Sequence, residues 1–133
     1  MYNLDYECMK YAQDIVNSID KSDSKKLKTL ENNLKKAIGV LQEDGVYAMF
    51  LWLESKDKAI RLKLIKLLNE SEIKLYLLSD SKKFDNDFAR FCENLMEVAK
   101  DIDKLFFMKK ILERTLTYAL YHAKTGEKDV EEG

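Results

Sequence analysis

Not one of the chain's 133 residues is proline, and only Gly39, Gly45, Gly126 and Gly133 are glycine. β-rich domains need many tight turns, and tight turns consume Gly, Pro and Asn-Gly pairs. Interior proline damages a helix by removing a donor and clashing with the preceding turn. A proline-free chain rich in Leu, Lys, Glu and Ile is therefore predicted to be all-α. At this length one domain can bury roughly two-thirds of its unfolded surface, enough for a full core. The expected architecture is a compact bundle of about five to six helices over residues 1–125, followed by an acidic, frayed tail over 126–133.

Apolar spacing places the helices. The first is expected over Leu4 to Ile19, with Tyr6, Met9, Ala12, Ile15, Val16 and Ile19 on one face. The second starts after Lys21–Ser24, with Asp23 or Ser24 as its cap, and runs to Glu43. Its apolar positions Leu27, Leu30, Leu34, Ala37, Ile38 and Leu41 make a narrow stripe suited to one partner helix. Asp44-Gly45 stops it, because glycine supplies left-handed backbone at a helix end. Val46 to Ser55 is apolar nearly all round and is expected at the bundle centre, with Phe50 and Leu51 inside. A fourth helix over Asp57 to Asn69 turns Ile60, Leu64, Leu67 and Leu68 inward and Lys63 and Lys66 outward. The run Ile73 to Leu78 fits strand or helix, and an isolated strand has no partner, so it is taken as helical. After a polar turn at Ser79–Lys83, helices over Asp85–Lys100 and Ile102–Lys124 complete the chain, or merge into one. The first is expected to pack Phe88, Phe91, Cys92, Leu95 and Ala99. The second is expected to pack Leu105, Phe106, Leu112, Leu116, Ala119 and Leu120.

Whole classes of chemistry lack their residues. One histidine, His122, and two isolated cysteines, Cys8 and Cys92, cannot compose a zinc site, and the cysteines read as reduced thiols in the core. The glycines are too scattered for a phosphate loop, and acidic pairs such as Asp85/Asp87 and Asp101/Asp103 read as helix caps. No catalytic residue, metal or cofactor is assigned. The longest apolar run, Val46 to Leu53, is far short of a membrane span, and acidic Asp5 stands where a secretion signal is basic. A cytoplasmic, membrane-independent protein is expected. One enzymatic alternative is a HEPN-like RNase, which pairs Arg and His across four to six residues of one helix. Here Thr115 to Tyr121 separate Arg114 from His122, which turns the two about 80° apart.

Net charge is only −1, but it is unevenly placed. Lys21 to Lys36 holds six lysines against Asp23 and Glu31, and Lys56 to Lys66 holds five basic residues against Asp57. Asp85 to Asp103 sets six acids against Arg90 and Lys100, and the first twenty residues set four acids against Lys10. Such a domain can present one basic and one acidic face.

The stretch Leu34 to Lys56 resembles the small helical subunit of the Cmr effector complex, the type III-B CRISPR system. In that family an apolar helix ends at a glycine turn, continues into a second apolar helix, and closes on a lysine. Asp44-Gly45-Val46, Phe50-Leu51-Trp52-Leu53 and Lys56 stand at those places. The opening helix with Tyr11-Ala12 through Val16, and the aromatic-rich end Thr115 to Lys124, also resemble it. Tyr121-His122 is similar to the small subunit of the sister Csm complex. The resemblance implies a non-catalytic subunit of an RNA-guided antiviral ribonucleoprotein. Copies of it would stack beside other effector subunits along the guide RNA–target RNA duplex. The protein would then read phosphates and shape while base pairing reads sequence. The candidate RNA-binding residues are Lys21, Lys25, Lys28, Lys35, Lys56, Lys63 and Lys66. A helical adaptor or dimerisation module without nucleic acid, and a HEPN-like antitoxin, are the other readings.

Overall fold

A computed structural model describes residues 2–79 and 82–132, with side chains described as far as Gly126. Among the described residues seven α-helices follow in chain order: α1 Leu4–Asn17, α2 Ser24–Asp44, α3 Val46–Lys56, α4 Lys58–Leu68, α5 Ser71–Leu77, α6 Phe88–Ala99 and α7 Ile102–Glu132. No strand occurs among the described residues. The expected count of five to six is corrected upward, because the short apolar run near Ile73 forms a helix of its own and Lys100-Asp101 separates α6 from α7. α7 continues past residue 125. The frayed tail expected over 126–133 falls, beyond Gly126, on residues whose side chains lie outside the described set.

Short polar side chains start the helices by satisfying backbone donors that have no partner within the helix. Asn3 accepts from the Tyr6 amide at 3.1 Å, Asp23 from Lys26 at 3.1 Å, Asp57 from Ile60 at 3.2 Å and Asp87 from Arg90 at 3.2 Å. Gly45 has φ 96°, and its amide donates to Val40 and Leu41, so the chain turns from α2 into α3 without a loop. Any side chain at that φ would be strained.

α7 is the spine of the bundle. It packs along α1 and α2 and also meets α3, α5 and α6. Its buried stripe is Met108, Ile111, Leu112, Leu116, Ala119 and Ala123, which shrinks to small residues as α2 closes in. At Gly126 an added Cβ would sit 3.5 Å from Leu27 of α2. Leu27, Leu30, Leu34, Ala37 and Leu41 are buried as expected, but they serve α7 and α3 rather than a single partner. Behind α3, Phe50, Phe91 and Phe84 form an edge-to-face cluster with centroids 4.7 and 6.1 Å apart. Asn69 pins the loop that carries Phe84: its side chain accepts from the Phe84 amide at 2.7 Å and donates to the Phe84 carbonyl at 2.9 Å.

Several inward assignments are corrected. Tyr6, Met9, Leu51 and Phe106 are exposed, as is Ala99. In α1 the buried face is rotated to Cys8, Tyr11, Ala12 and Ile15. α3 buries Val46, Met49, Phe50 and Leu53 and leaves Tyr47 and Leu51 outside. Neither cysteine is in a disulfide, and Cys8 is buried while Cys92 is half-buried. No helix among the described residues is long and apolar enough to cross a membrane.

Candidate nucleic-acid interface

The end of α1, the first turns of α2 and the first turns of α4 meet around a cleft of about 410 Å³. Its floor is aliphatic (Ile15, Ile19, Leu30 and Ile60), and Lys25, Lys26 and Lys63 stand at its sides with Thr29 and Ser18. Asp23 and Asp57 also border it, but each has a carboxylate oxygen committed to capping its own helix. A second hollow, of about 560 Å³, shares Ala59 and Lys63 with the first and adds Lys66, Asn69 and Asn86. Lys25, Lys26, Lys63 and Lys66 thus follow one track across two adjoining hollows. Ammonium groups on flexible stems can each meet a phosphate along such a track.

The seven candidate lysines divide into three groups. Lys25, Lys63 and Lys66 converge. Lys21, in the turn before α2, and Lys56, at the end of α3, are exposed but border neither hollow. Lys28 and Lys35 turn to Glu31, a buried carboxylate, at 2.9 and 3.9 Å. The one Glu31 carboxylate offsets part of their charge, and neither borders the hollows. Lys26 joins the track without having been singled out. Only its neighbours across the bundle show its position, since on α2 alone it resembles every other lysine.

The basic count of α4 also changes meaning. Arg61 is buried, its Nε 2.7 Å from Glu54 Oε2 in an ion pair that lacks hydrogen-bond alignment. Its Nη1 donates to the Asn86 carbonyl at 3.1 Å, and the guanidinium lies 5.3 Å from the Phe88 ring centre. Lys58 pairs with Glu54 at 3.6 Å. Arg61 is a structural cation, and Lys63 and Lys66 carry the outward charge.

Carboxylates close the far end of the track. Glu70 accepts from the Tyr11 hydroxyl and lies 3.7 Å from the Lys10 ammonium. Burial, and then the nearby Glu70 charge, push the Glu7 carboxyl above the usual range, and one of its oxygens has no hydrogen-bond partner. Burial, followed by the Glu7 and Glu70 charges, pushes the Tyr2 hydroxyl up to about 12. A polyanion on the lysines meets repulsion beyond Lys66.

Arg114 and His122 border separate hollows on α7, and Arg114 pairs with Asp5 at 3.5 Å. Tyr118, which borders both, donates to the same Asp5 at 2.6 Å. No three of His, Cys, Asp and Glu among the described residues are grouped to hold a metal ion. No protein-family model, curated protein or solved structure matches this chain.

Proposed function

We propose that this chain is a non-catalytic RNA-binding subunit of a cytoplasmic RNA-guided ribonucleoprotein of the Cmr kind. In this reading it lies beside the guide–target duplex with other subunits and holds RNA through its backbone. The observation that carries the reading is the convergence of Lys25 and Lys26 of α2 with Lys63 and Lys66 of α4 on one track. Two segments distant in sequence, each basic in composition, thereby act as one surface. The resemblance of residues 34–56 to the Cmr small subunit supplies the assembly. The charge on the track supplies the polyanion partner. Phosphate contacts of this kind bind without reading sequence and weaken steeply with salt.

The test is a titration of fluorescently labelled single-stranded RNA with the whole chain and with a Lys25→Glu, Lys63→Glu, Lys66→Glu variant. The wild-type chain is expected to bind with similar affinity to RNAs of unrelated sequence and to leave them intact. The variant is expected to lose most of that affinity while its circular dichroism stays helical. Equal binding by the folded variant overturns the reading. Cleavage of the RNA that vanishes in His122→Ala replaces it with the HEPN-like one.

A further inference from the structure

The bundle leaves a second surface unexplained, where apolar side chains face water on α3, α6 and α7. Tyr47 is 47% exposed and Met96 64%, and between them and Leu105 runs a groove of about 490 Å³. Its walls are Val46, Leu95 and Leu105, and Ala99 presents only a methyl group there. Leu51, one turn further along α3, and Ile102 and Phe106, which flank Leu105 in the sequence of α7, are exposed as well. Monomeric proteins seldom leave this many large apolar side chains together, and grouped ones mark interaction sites. α3 is apolar all round although only one of its faces enters the core.

We propose that this groove is the docking site for an amphipathic helix of a partner protein, one with an apolar ridge and lysine or arginine flanks. The shape fits a helix: a ridge of side chains spaced i, i+3, i+4 and i+7 fills a channel between two helices, and small Ala99 lets it approach closely. Met96 is a flexible, polarizable contact that moulds to such a ridge. The charge sets the flanks. Asp44 borders the groove, and exposed acids neighbour its lining residues in sequence: Glu43 at the end of α2, Glu93 on α6, Asp101 at the α6–α7 junction and Asp103 at the start of α7, against Lys100. Lys104 leans away over the Tyr76 ring. A basic-flanked helix meets an acidic border, and an acidic-flanked one is repelled. The proposal stands apart from RNA binding, because the groove shares no residue with the lysine track.

The test uses a fluorescent sixteen-residue peptide with leucines at i, i+3, i+4 and i+7 and lysines on both flanks. The same peptide with glutamate flanks is the comparison. The wild-type chain is expected to bind the lysine peptide one to one and the glutamate peptide about tenfold more weakly or worse. Met96→Glu, placed on an exposed site, is expected to keep the helical spectrum and weaken the lysine peptide by about tenfold or more. The track variant Lys63→Glu is expected to bind it as wild type does, whatever that variant does to RNA. Equal binding of the lysine peptide by Met96→Glu overturns the proposal, as does equal binding of both peptides by wild type. Sedimentation showing a wild-type dimer that Met96→Glu abolishes also overturns it, by giving the groove to a second copy of this chain.

Discussion

The lysine track and the apolar groove are built from opposite kinds of sequence. The track draws on α2 and α4, whose amphipathic patterns bury one face fully, so every outward residue is free to be polar. Leu27, Leu30, Ile60 and Leu64 are buried, and Lys25, Lys26, Lys63 and Lys66 stand on other faces of the same two helices. The groove draws on α3, which has more apolar residues than its core face can use. The surplus of Tyr47 and Leu51 comes out to the surface, Tyr47 sharing the groove with Met96. Where pattern and burial agree, surface function rests on charge. Where they disagree, the excess apolar side chains are themselves the feature to explain.

The widest contrast expected in stability lies within α3. Phe50 is buried against Phe91, so Phe50→Ala is expected to cost about 3–5 kcal/mol in chemical denaturation. Leu51→Ala is expected to stay within about 0.5 kcal/mol, because the side chain already faces water. A large cost at Leu51 breaks the claim that α3 has one surplus face. The same comparison applies to the basic run of α4. Arg61→Ala removes a buried guanidinium with its Asn86 contact and is expected to cost about 1.5–3 kcal/mol. Lys63→Ala is expected to cost less than about 0.5 kcal/mol.

A smaller effect is expected at the acidic end of the track. The Glu7 carboxyl is held above its ordinary range, so the folded state binds its proton more tightly than the unfolded chain does. Its contribution favours folding below the unfolded value and is lost as pH rises through the folded one. Glu7→Gln is therefore expected to raise the melting temperature at pH 7, with the gain shrinking as pH falls toward 4. A gain that grows on acidification contradicts that assignment.

Local rules placed the helices and tertiary packing placed the faces. Asp23, Asp57 and Gly45 mark their boundaries with chemistry that acts over three or four residues, and those boundaries are readable in a single chain. The inward set of α2 is equally plain, because its apolar stripe is narrow, and α4 buries Ile60, Leu64, Leu67 and Leu68 with Ile65 and Arg61 added. In α1 the apolar spacing put Tyr6 and Met9 inward, and packing against α7 and α4 buries Cys8 and Tyr11 instead. Phe106 of α7 is likewise outside. Charge was misleading wherever a basic residue meets a buried acid. Lys28 and Lys35 are drawn to Glu31 and Arg61 to Glu54, pairings that turn lysine counts into a poor measure of free surface charge. The convergence of Lys25 with Lys63 joins positions that no spacing rule relates.

The most direct test of the central claim compares two sets of neutralised lysines by the salt dependence of RNA binding. One variant carries Lys25→Gln, Lys63→Gln and Lys66→Gln, and the other carries Lys28→Gln and Lys35→Gln. For single-stranded RNA each phosphate contact contributes roughly 0.7 to the slope of log affinity against log salt, so the first variant is expected to lower that slope by about 2. The second is expected to change it less, because its two lysines share Glu31 and border neither hollow. A slope that falls for the Lys28 and Lys35 pair and holds for the track contradicts the account.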